Sequence, residues 1–397
     1  RNLKHCTPTL ASGVLIAQSQ LSCYSNSMST VKRKLPLSLQ SFEDLRKKEF
    51  LYIDKTEWIE TLIENRKICF LSRPRRFGKS LFLSTLAAYF LGQKELFTGL
   101  KIAEWEAQQE HPWQVYPVLY LDFNTGIYDT KEGLLNRLTS FLCEYEKIYG
   151  STGLDLPDRF QNLIKAAYEK TGKQAVVLID EYDKPILDKI GNLEAAEAMR
   201  EALRSFYTVL KGCDEYLRFV MLTGISKFTK TGVFSAMNNL RDISMVEEFG
   251  DVVGYTQEEL EADFAGWIDD ASGKMGFSRQ ELLMRMKDYY DGFCFDGRKR
   301  LYNPFSILNF LADRKFKNYW YHSGSPTFIL SYLRSHGIDD PEVYRHKSVP
   351  ADFADSQEIE RAKPESFLFQ SGYLTIESAE EQELTLDYPN REVLDSI

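Results

Sequence analysis

The chain has no apolar run approaching the roughly 18 to 20 residues that a membrane-spanning helix needs. It is also poor in the residues that mark fibrous or disordered chains: 13 Pro and 23 Gly stand among 397 residues, beside 43% hydrophobic and 13% aromatic content. Collagenous, low-complexity and disordered organisation are excluded, and a soluble globular chain is expected. The six cysteines (Cys6, Cys23, Cys69, Cys143, Cys213, Cys294) form no C-x-x-C pair, and only Cys6, beside His5, has a His close in sequence. That argues against zinc and against a disulfide framework, and fits reduced thiols in a cytoplasmic compartment. The five His residues are equally dispersed, so His322 reads as a surface or packing residue rather than a ligand. An excess of basic charge is missing too. With 58 acidic and 49 basic side chains the net charge is -9, which excludes a surface-wide grip on a nucleic-acid backbone and leaves only local basic clusters.

A chain of this length is expected to hold two or three domains. The first segment differs from the rest. It begins with Arg1 and lacks an amphipathic period, and Val14-Leu15-Ile16-Ala17 is too short for a secretory apolar region of about 7 to 15 residues. Met28 opens a short stretch containing Lys32-Arg33-Lys34. Residues 1–34 read as a leader or disordered segment with Met28 as the natural start; a weak signal peptide is the alternative.

From Leu35 the pattern is regular. Asp54 or Thr56 caps a helix carrying Trp58, Ile59, Leu62 and Ile63. Apolar runs at 68–72, 118–122, 175–180 and 219–223 read as strands, with 243–246 as a fifth. Helical patterns cover 131–148, 158–171 and 193–211. Strands that are apolar throughout and alternate with helices indicate an α/β fold with a parallel sheet. Past about residue 255 strands fade, and 256–290, 304–316 and 326–336 look helical. The expected division is 35–254 as the α/β domain and 255–397 as a mainly helical region.

Between the first strand and the apolar helix that follows lies Arg73-Pro74-Arg75-Arg76-Phe77-Gly78-Lys79-Ser80-Leu81. A full phosphate-binding loop is G-x-x-x-x-G-K-[ST], and here Arg73 stands at the first glycine. Gly78 lets the backbone approach phosphates, and successive N–H groups at a helix N-terminus form an anion nest. Lys79 would reach the β- and γ-phosphates of ATP, and the Ser80 hydroxyl would bind Mg²⁺. A basic turn capping a helix is the bland alternative. The second element weighs against it. Val176-Val177-Leu178-Ile179 ends in Asp180-Glu181, placing Asp180 to hold the Mg²⁺ shell and Glu181 to orient or deprotonate the attacking water. Together the two motifs indicate an ATP-type P-loop NTPase.

Other polar residues join by position. Thr223, or Ser226 beyond it, stands at a strand end where a γ-phosphate sensor would sit; a strand-end cap is the alternative. Asn238, Asn239 and Arg241 are sensors or ordinary loop residues. Arg75 and Arg76 could neutralise transition-state charge in cis, or one of them could bind a partner domain or a nucleic acid. Tyr52 either stacks on adenine or packs in the core, the second reading being preferred.

These residues carry a resemblance. Leu35-Pro36, Ser41-Phe42-Glu43, Tyr52-Ile53-Asp54-Lys55-Thr56, the segment Leu71–Leu81, Leu178-Ile179-Asp180-Glu181-Tyr182-Asp183 and Leu222–Phe228 match the bacterial AAA-ATPase-like family. So do Asn238-Asn239-Leu240, Tyr289-Tyr290-Asp291-Gly292-Phe293, Tyr302-Asn303-Pro304 and Phe369-Gln370-Ser371-Gly372-Tyr373-Leu374. The match runs over roughly residues 35–394. The resemblance implies an ATPase core of the additional-strand, catalytic-glutamate class, then helical and winged-helix-like segments, and it makes Arg73 a family trait. The core is also similar to signal-transduction ATPases that work as nucleotide-gated switches. Family members often continue into a PD-(D/E)xK nuclease-like domain, which would begin after Pro389-Asn390-Arg391-Glu392. No acid-x-Lys pair with flanking strands is evident here, so nuclease activity is not assigned and the chain reads as a fragment.

The leading expectation is an ATP-binding, Mg²⁺-dependent ATPase acting as a switch or motor module, its turnover set by an unidentified protein partner. The alternatives are a non-hydrolysing ATP-binding interaction module and the regulatory part of a DNA-directed effector. The second has local support only from Arg66, Lys67, Arg73, Arg75 and Arg76. No arginine finger from a neighbouring subunit is identified.

Overall fold

Five short runs form one parallel sheet: β1 Ile68–Ser72, β2 Val118–Asp122, β3 Ala175–Asp180, β4 Leu217–Gly224 and β5 Arg241–Asp242, in the spatial order β2-β3-β4-β1-β5. All four ladders are parallel. β4 is inserted between β1, which leads into the phosphate loop, and β3, which ends in the acid pair. That insertion is the additional strand of the P-loop NTPase class. The computed structural model describes residues 32–65, 67–189, 191–227, 233, 239–323, 340–354 and 363–396. Contacts divide the chain into Arg1–Arg33 and Lys34–Ile397; of the first unit only residues 32 and 33 are described. Residues 1–31 of the leader, Arg66, Asn238 and the helix expected over 326–336 lie outside the described residues.

The helices before residue 250 are α1 Phe42–Lys47, α2 Glu57–Asn65, α3 Lys79–Phe90, α4 Lys101–Glu106, α5 Lys131–Tyr149, α6 Leu156–Thr171, α7 Lys184–Leu187 and α8 Leu193–Gly212. Because a strand alternates its side chains, each apolar run feeds two cores. Phe70, Val177, Ile179, Val220 and Leu222 face α5, α6 and α8, while Cys69, Leu71, Leu178 and Met221 pack with Phe82, Leu83 and Leu86 of α3. Asp54 and Thr56 precede α2, yet they also serve α4, accepting from Lys101 N at 2.8 Å and Ile102 N at 3.1 Å.

One expectation is corrected, and the helical reading of 256–290 holds. The fifth strand is Arg241–Asp242, paired with Cys69 and Phe70, and not 243–246. Ile243 donates one further bond to Phe70 O, after which the Ser244 hydroxyl turns to accept Ser72 N. The apolar run marks burial beneath the sheet edge, and the pairing falls on the polar residues before it. The stretch 256–290 is three helices, α9 Gln257–Asp263, α10 Ala265–Met275 and α11 Arg279–Tyr290.

Beyond them lie α12 Pro304–Asp313, α13 Tyr319–His322, α14 Pro364–Ser371 and α15 Arg391–Leu394. The C-terminal region is helical, but it also carries an antiparallel sheet of β6 Lys347–Pro350, β7 Thr375–Ala379 and β8 Glu383–Asp387, ordered β6-β8-β7. These strands are only half-buried and rich in polar residues, so they lack the continuous apolar signature of the parallel sheet. Among the described residues no helix is long and apolar enough to cross a membrane.

Candidate functional site

The register of the sheet brings the singled-out residues to one edge. Leu71 pairs with Thr223, and Arg73 N donates to Gly224 O at 3.2 Å. Tyr182 N donates to Thr223 O at 3.0 Å, so the phosphate loop, the acid pair and Thr223 lie at the carboxyl ends of β1, β3 and β4. Parallel α/β sheets place ligands at that edge. Gly78 has φ 96° and ψ 10° and stands at the N-terminus of α3, with no side-chain cap over the helix. A Cβ at Gly78 would meet nothing within 4 Å, so it is the left-handed backbone that calls for glycine. The first-turn N–H groups are therefore available to an anion.

Lys79 is buried and folded back on its own loop, its Nζ donating to Arg73 O and Pro74 O, both at 2.9 Å. Burial lowers its pKa, while the charges of Glu181, Asp180 and Asp183 act in the opposite direction. An ammonium held by two neutral carbonyls in such a setting is readily transferred to a phosphate, which offers charge as well as acceptors.

Arg73 is placed differently from its neighbours. Its guanidinium is 1% exposed and reaches Ser72 O, Ser244 O, Phe249 O and Gly250 O at 2.6 to 3.2 Å, with the Phe295 ring 4.4 Å away. Burial lowers its pKa to about 10, which leaves it charged at neutral pH. It braces the loop against the 244–250 turn and does not line the cavity. Pro74 is likewise buried, against Gly372. Phe77 is an anchor, its ring edge-on to Phe293 and Phe295 at 5.0 and 5.4 Å.

Arg75, Arg76, Phe77, Gly78, Lys79, Ser80 and Leu81 form one wall of a cavity of about 700 Å³. Glu181, Asp183 and Lys184 form a second. Pro36, Leu39, Leu51, Ile53, Val253 and Leu308 supply apolar surface of the kind that takes a nucleoside base. Tyr52 lines this cavity and also packs on Phe42 at 5.1 Å.

The acid pair splits into two environments. Asp180 is 1% exposed, lies behind the cavity wall and accepts the Thr223 hydroxyl at 2.6 Å. Glu181 lines the cavity, and its backbone is held at φ 52°, a left-handed conformation that costs a non-glycine residue on the order of 1 kcal/mol. Burial raises the Glu181 pKa to about 7, with Lys79 opposing and Asp180 and Asp183 reinforcing the shift. A carboxylate at that pKa is suited to general-base work near neutrality.

Asp183 enters the site although its sequence position carried no role. Its Oδ2 accepts Ile225 N, Ser226 N and the Ser226 hydroxyl at 2.7 to 3.0 Å, while its buried Oδ1 has no hydrogen-bond partner. Ser226 is thus committed to Asp183, as Thr223 is to Asp180. Asn239 and Arg241 are exposed and do not line the cavity. Asn303 and Trp320, both fully buried, were also missed: Trp320 Nε1 donates to Arg75 O at 3.1 Å, and Asn303 Nδ2 approaches the same oxygen at 3.5 Å. The text Tyr302-Asn303-Pro304 was a visible signal, but its contact is 228 residues away.

The donor set fits Mg²⁺–ATP. Ser80 offers a hard hydroxyl oxygen in the cavity and Asp180 a carboxylate behind its wall, Lys79 and the α3 N-terminus are phosphate donors, and Arg75 Nη2 is buried without an acceptor.

Comparison with known proteins shows the family. The family model described as Predicted AAA-ATPase matches residues 36–234. An uncharacterized protein from the vnfD 5′ region of Azotobacter chroococcum mcd 1 is 36% identical over 374 residues, covering 92% of this chain and 69% of that protein. The crystal structure of Cdc6p from Pyrobaculum aerophilum aligns over 93% of this chain and 94% of that one at 12% identity, with a TM-score of 0.32, too slight a likeness to support an argument. On the family model and the long match, this chain belongs to the AAA-ATPase-like family of P-loop ATPases.

Proposed function

We propose that the chain binds ATP with Mg²⁺ in this cavity, hydrolyses it, and acts as a nucleotide-dependent switch module. The observation that carries the reading is the meeting of Lys79 and Glu181 in one cavity, the first at the N-terminus of α3 and the second with its pKa raised to about 7. Lys79 would hold the β- and γ-phosphates, Gly78 and the first turn of α3 would supply N–H donors, Ser80 would bind the metal and Asp180 would hold its hydration shell. When bound, Mg²⁺ neutralises phosphate charge. Glu181 accepts the proton of the attacking water. Thr223 acts through Asp180 and fixes the direction of its carboxylate. Residues 35–254 form the ATPase domain and 255–397 the lid. The order β6-β8-β7, with α14 between β6 and β7, supports a winged-helix-like reading of the lid's end.

The test is Mg²⁺-dependent phosphate release from ATP by the purified chain beside Lys79→Ala and Glu181→Gln. The reading expects release from the parent chain, no ATP binding by Lys79→Ala, and binding with far slower turnover by Glu181→Gln. Equal ATP affinity in Lys79→Ala would count against it.

A further inference from the structure

We infer that Arg75 is the residue through which the γ-phosphate of a bound nucleoside triphosphate is read by the C-terminal region. The inference rests on the ATP-binding reading above and names its point of regulation.

Three arginines stand in the loop, and their surroundings separate them. Arg73 holds four carbonyls and the Phe295 ring, and although its Nε is also without a partner it does not line the cavity. Arg76 is exposed, with its guanidinium 5.0 Å from the Phe305 ring. Arg75 lines the cavity beside Lys79 and Glu181, half-buried, and its Nη2 is buried with no acceptor. A buried cationic N–H without a partner is a standing penalty, relieved by an oxyanion placed in the cavity. Both Lys79 and Arg75 then converge on the same anion, and only a third phosphate adds the charge that employs both.

The main chain of the same residue points the other way. Arg75 O accepts Trp320 Nε1 at 3.1 Å and lies 3.5 Å from Asn303 Nδ2. Asn303 caps α12 through Phe305 N and Ser306 N. Trp320 N donates to Glu392 Oε1 and the Ser306 hydroxyl to Glu392 Oε2, both at 2.7 Å, which ties α12, α13 and α15 to one carboxyl group. The preceding residue in the loop, Pro74, is so close to Gly372 that a Cβ on that glycine would lie 2.7 Å from the proline ring. A change in the Arg75 side chain is therefore delivered to a carbonyl that the C-terminal region holds directly, and packed interfaces of this kind shift between discrete arrangements. The competing role for Arg75 is structural: Tyr373, whose buried hydroxyl also lacks a partner, acts electrostatically on its guanidinium.

The experiment uses the full chain with Mg²⁺ and either ATP, a non-hydrolysable ATP analogue or ADP. It measures affinity directly and reads tryptophan emission, with Trp320→Phe isolating one indole among five. Arg75→Gln is expected to weaken binding of the triphosphates roughly tenfold or more while ADP affinity changes less than about threefold, with Arg75→Lys between the two. The emission change is expected to be larger with triphosphate than with ADP, and to vanish in both Trp320→Phe and Arg75→Gln. If Arg75→Gln weakens ATP and ADP equally, or the Trp320 signal is the same for both, the inference is overturned and the ATPase reading stands. A parent chain that binds neither nucleotide overturns both.

Discussion

The Thr223 hydroxyl donates to Asp180 Oδ1 at 2.6 Å, and neither residue lines the cavity. The strand-end hydroxyl is therefore a brace on the carboxylate and not a surface waiting for phosphate. Thr223→Val should cost about 1–3 kcal/mol, because it leaves a buried carboxylate oxygen short of its donor. It should also raise the Mg²⁺ concentration needed for turnover, and Thr223→Ser should restore both properties. Urea unfolding and a Mg²⁺ titration of phosphate release measure these effects; a valine variant as stable as the parent would contradict the account.

The raised Glu181 pKa gives a pH profile. Below about 7 the carboxyl of the nucleotide-free protein is protonated and cannot accept a proton from water. On the ATPase reading, kcat/KM should climb about tenfold per pH unit up to that point and then level off. Glu181→Gln should be slow and flat across the same range. A level parent profile between about pH 5.5 and 8.5 would exclude Glu181 as the base.

Glu392 makes a stability prediction of defined sign. It is fully buried, and burial raises its pKa from 4.5 to about 7 against the hydrogen bonds from Ser306 and Trp320. The folded state therefore holds a proton that the unfolded chain releases. Its contribution is fully present below about pH 4.5 and is lost as pH rises through about 7, amounting to at most about 3 kcal/mol. Glu392→Gln mimics the protonated form, so its stability relative to the parent should increase from pH 5 to pH 8. Glu181 shares the sign, so the difference between parent and variant is the quantity to measure, and parallel curves would refute the prediction.

Restoring the missing glycine should harm the protein. Arg73→Gly reproduces the full phosphate-loop motif, yet it strips four carbonyls of their donor and opens a void beside Phe295. Removal of a buried cation whose two Nη groups hold four carbonyls costs on the order of 3 kcal/mol or more. Denaturant unfolding should show that loss, and a variant with unchanged midpoint would mean the brace is idle.

What could be read beforehand followed from local chemistry. Val177 and Ile179 on one face and Leu178 on the other make β3 apolar throughout, so a buried strand ending in Asp180-Glu181 was visible as text. Gly78-Lys79-Ser80 was legible because left-handed backbone and phosphate approach both call for glycine. The role of Arg73 was not, since its partners lie at 244–250 and nothing local distinguishes a bracing arginine from a phosphate-binding one. Asn303, Trp320 and Gly372 stood in or near matched segments, but their contacts with the loop join residues more than 200 apart. The half-buried strands at 347–350, 375–379 and 383–387 lacked a continuous apolar run, and β5 paired through Arg241 and Asp242 while its apolar neighbours went beneath the sheet.

The inserted position of β4 acts as a gauge. Between the phosphate-loop strand and the acid-pair strand stand two ladder spacings, about 9.5 Å, which side-chain substitution does not alter. The reach of the Lys79 and Glu181 side chains is the one adjustable dimension. Glu181→Asp keeps the charge and shortens that reach by a single methylene. Since misplacement by about 1 Å can cost on the order of a hundredfold in rate, the mildest chemical change at this position is expected to behave as a deletion.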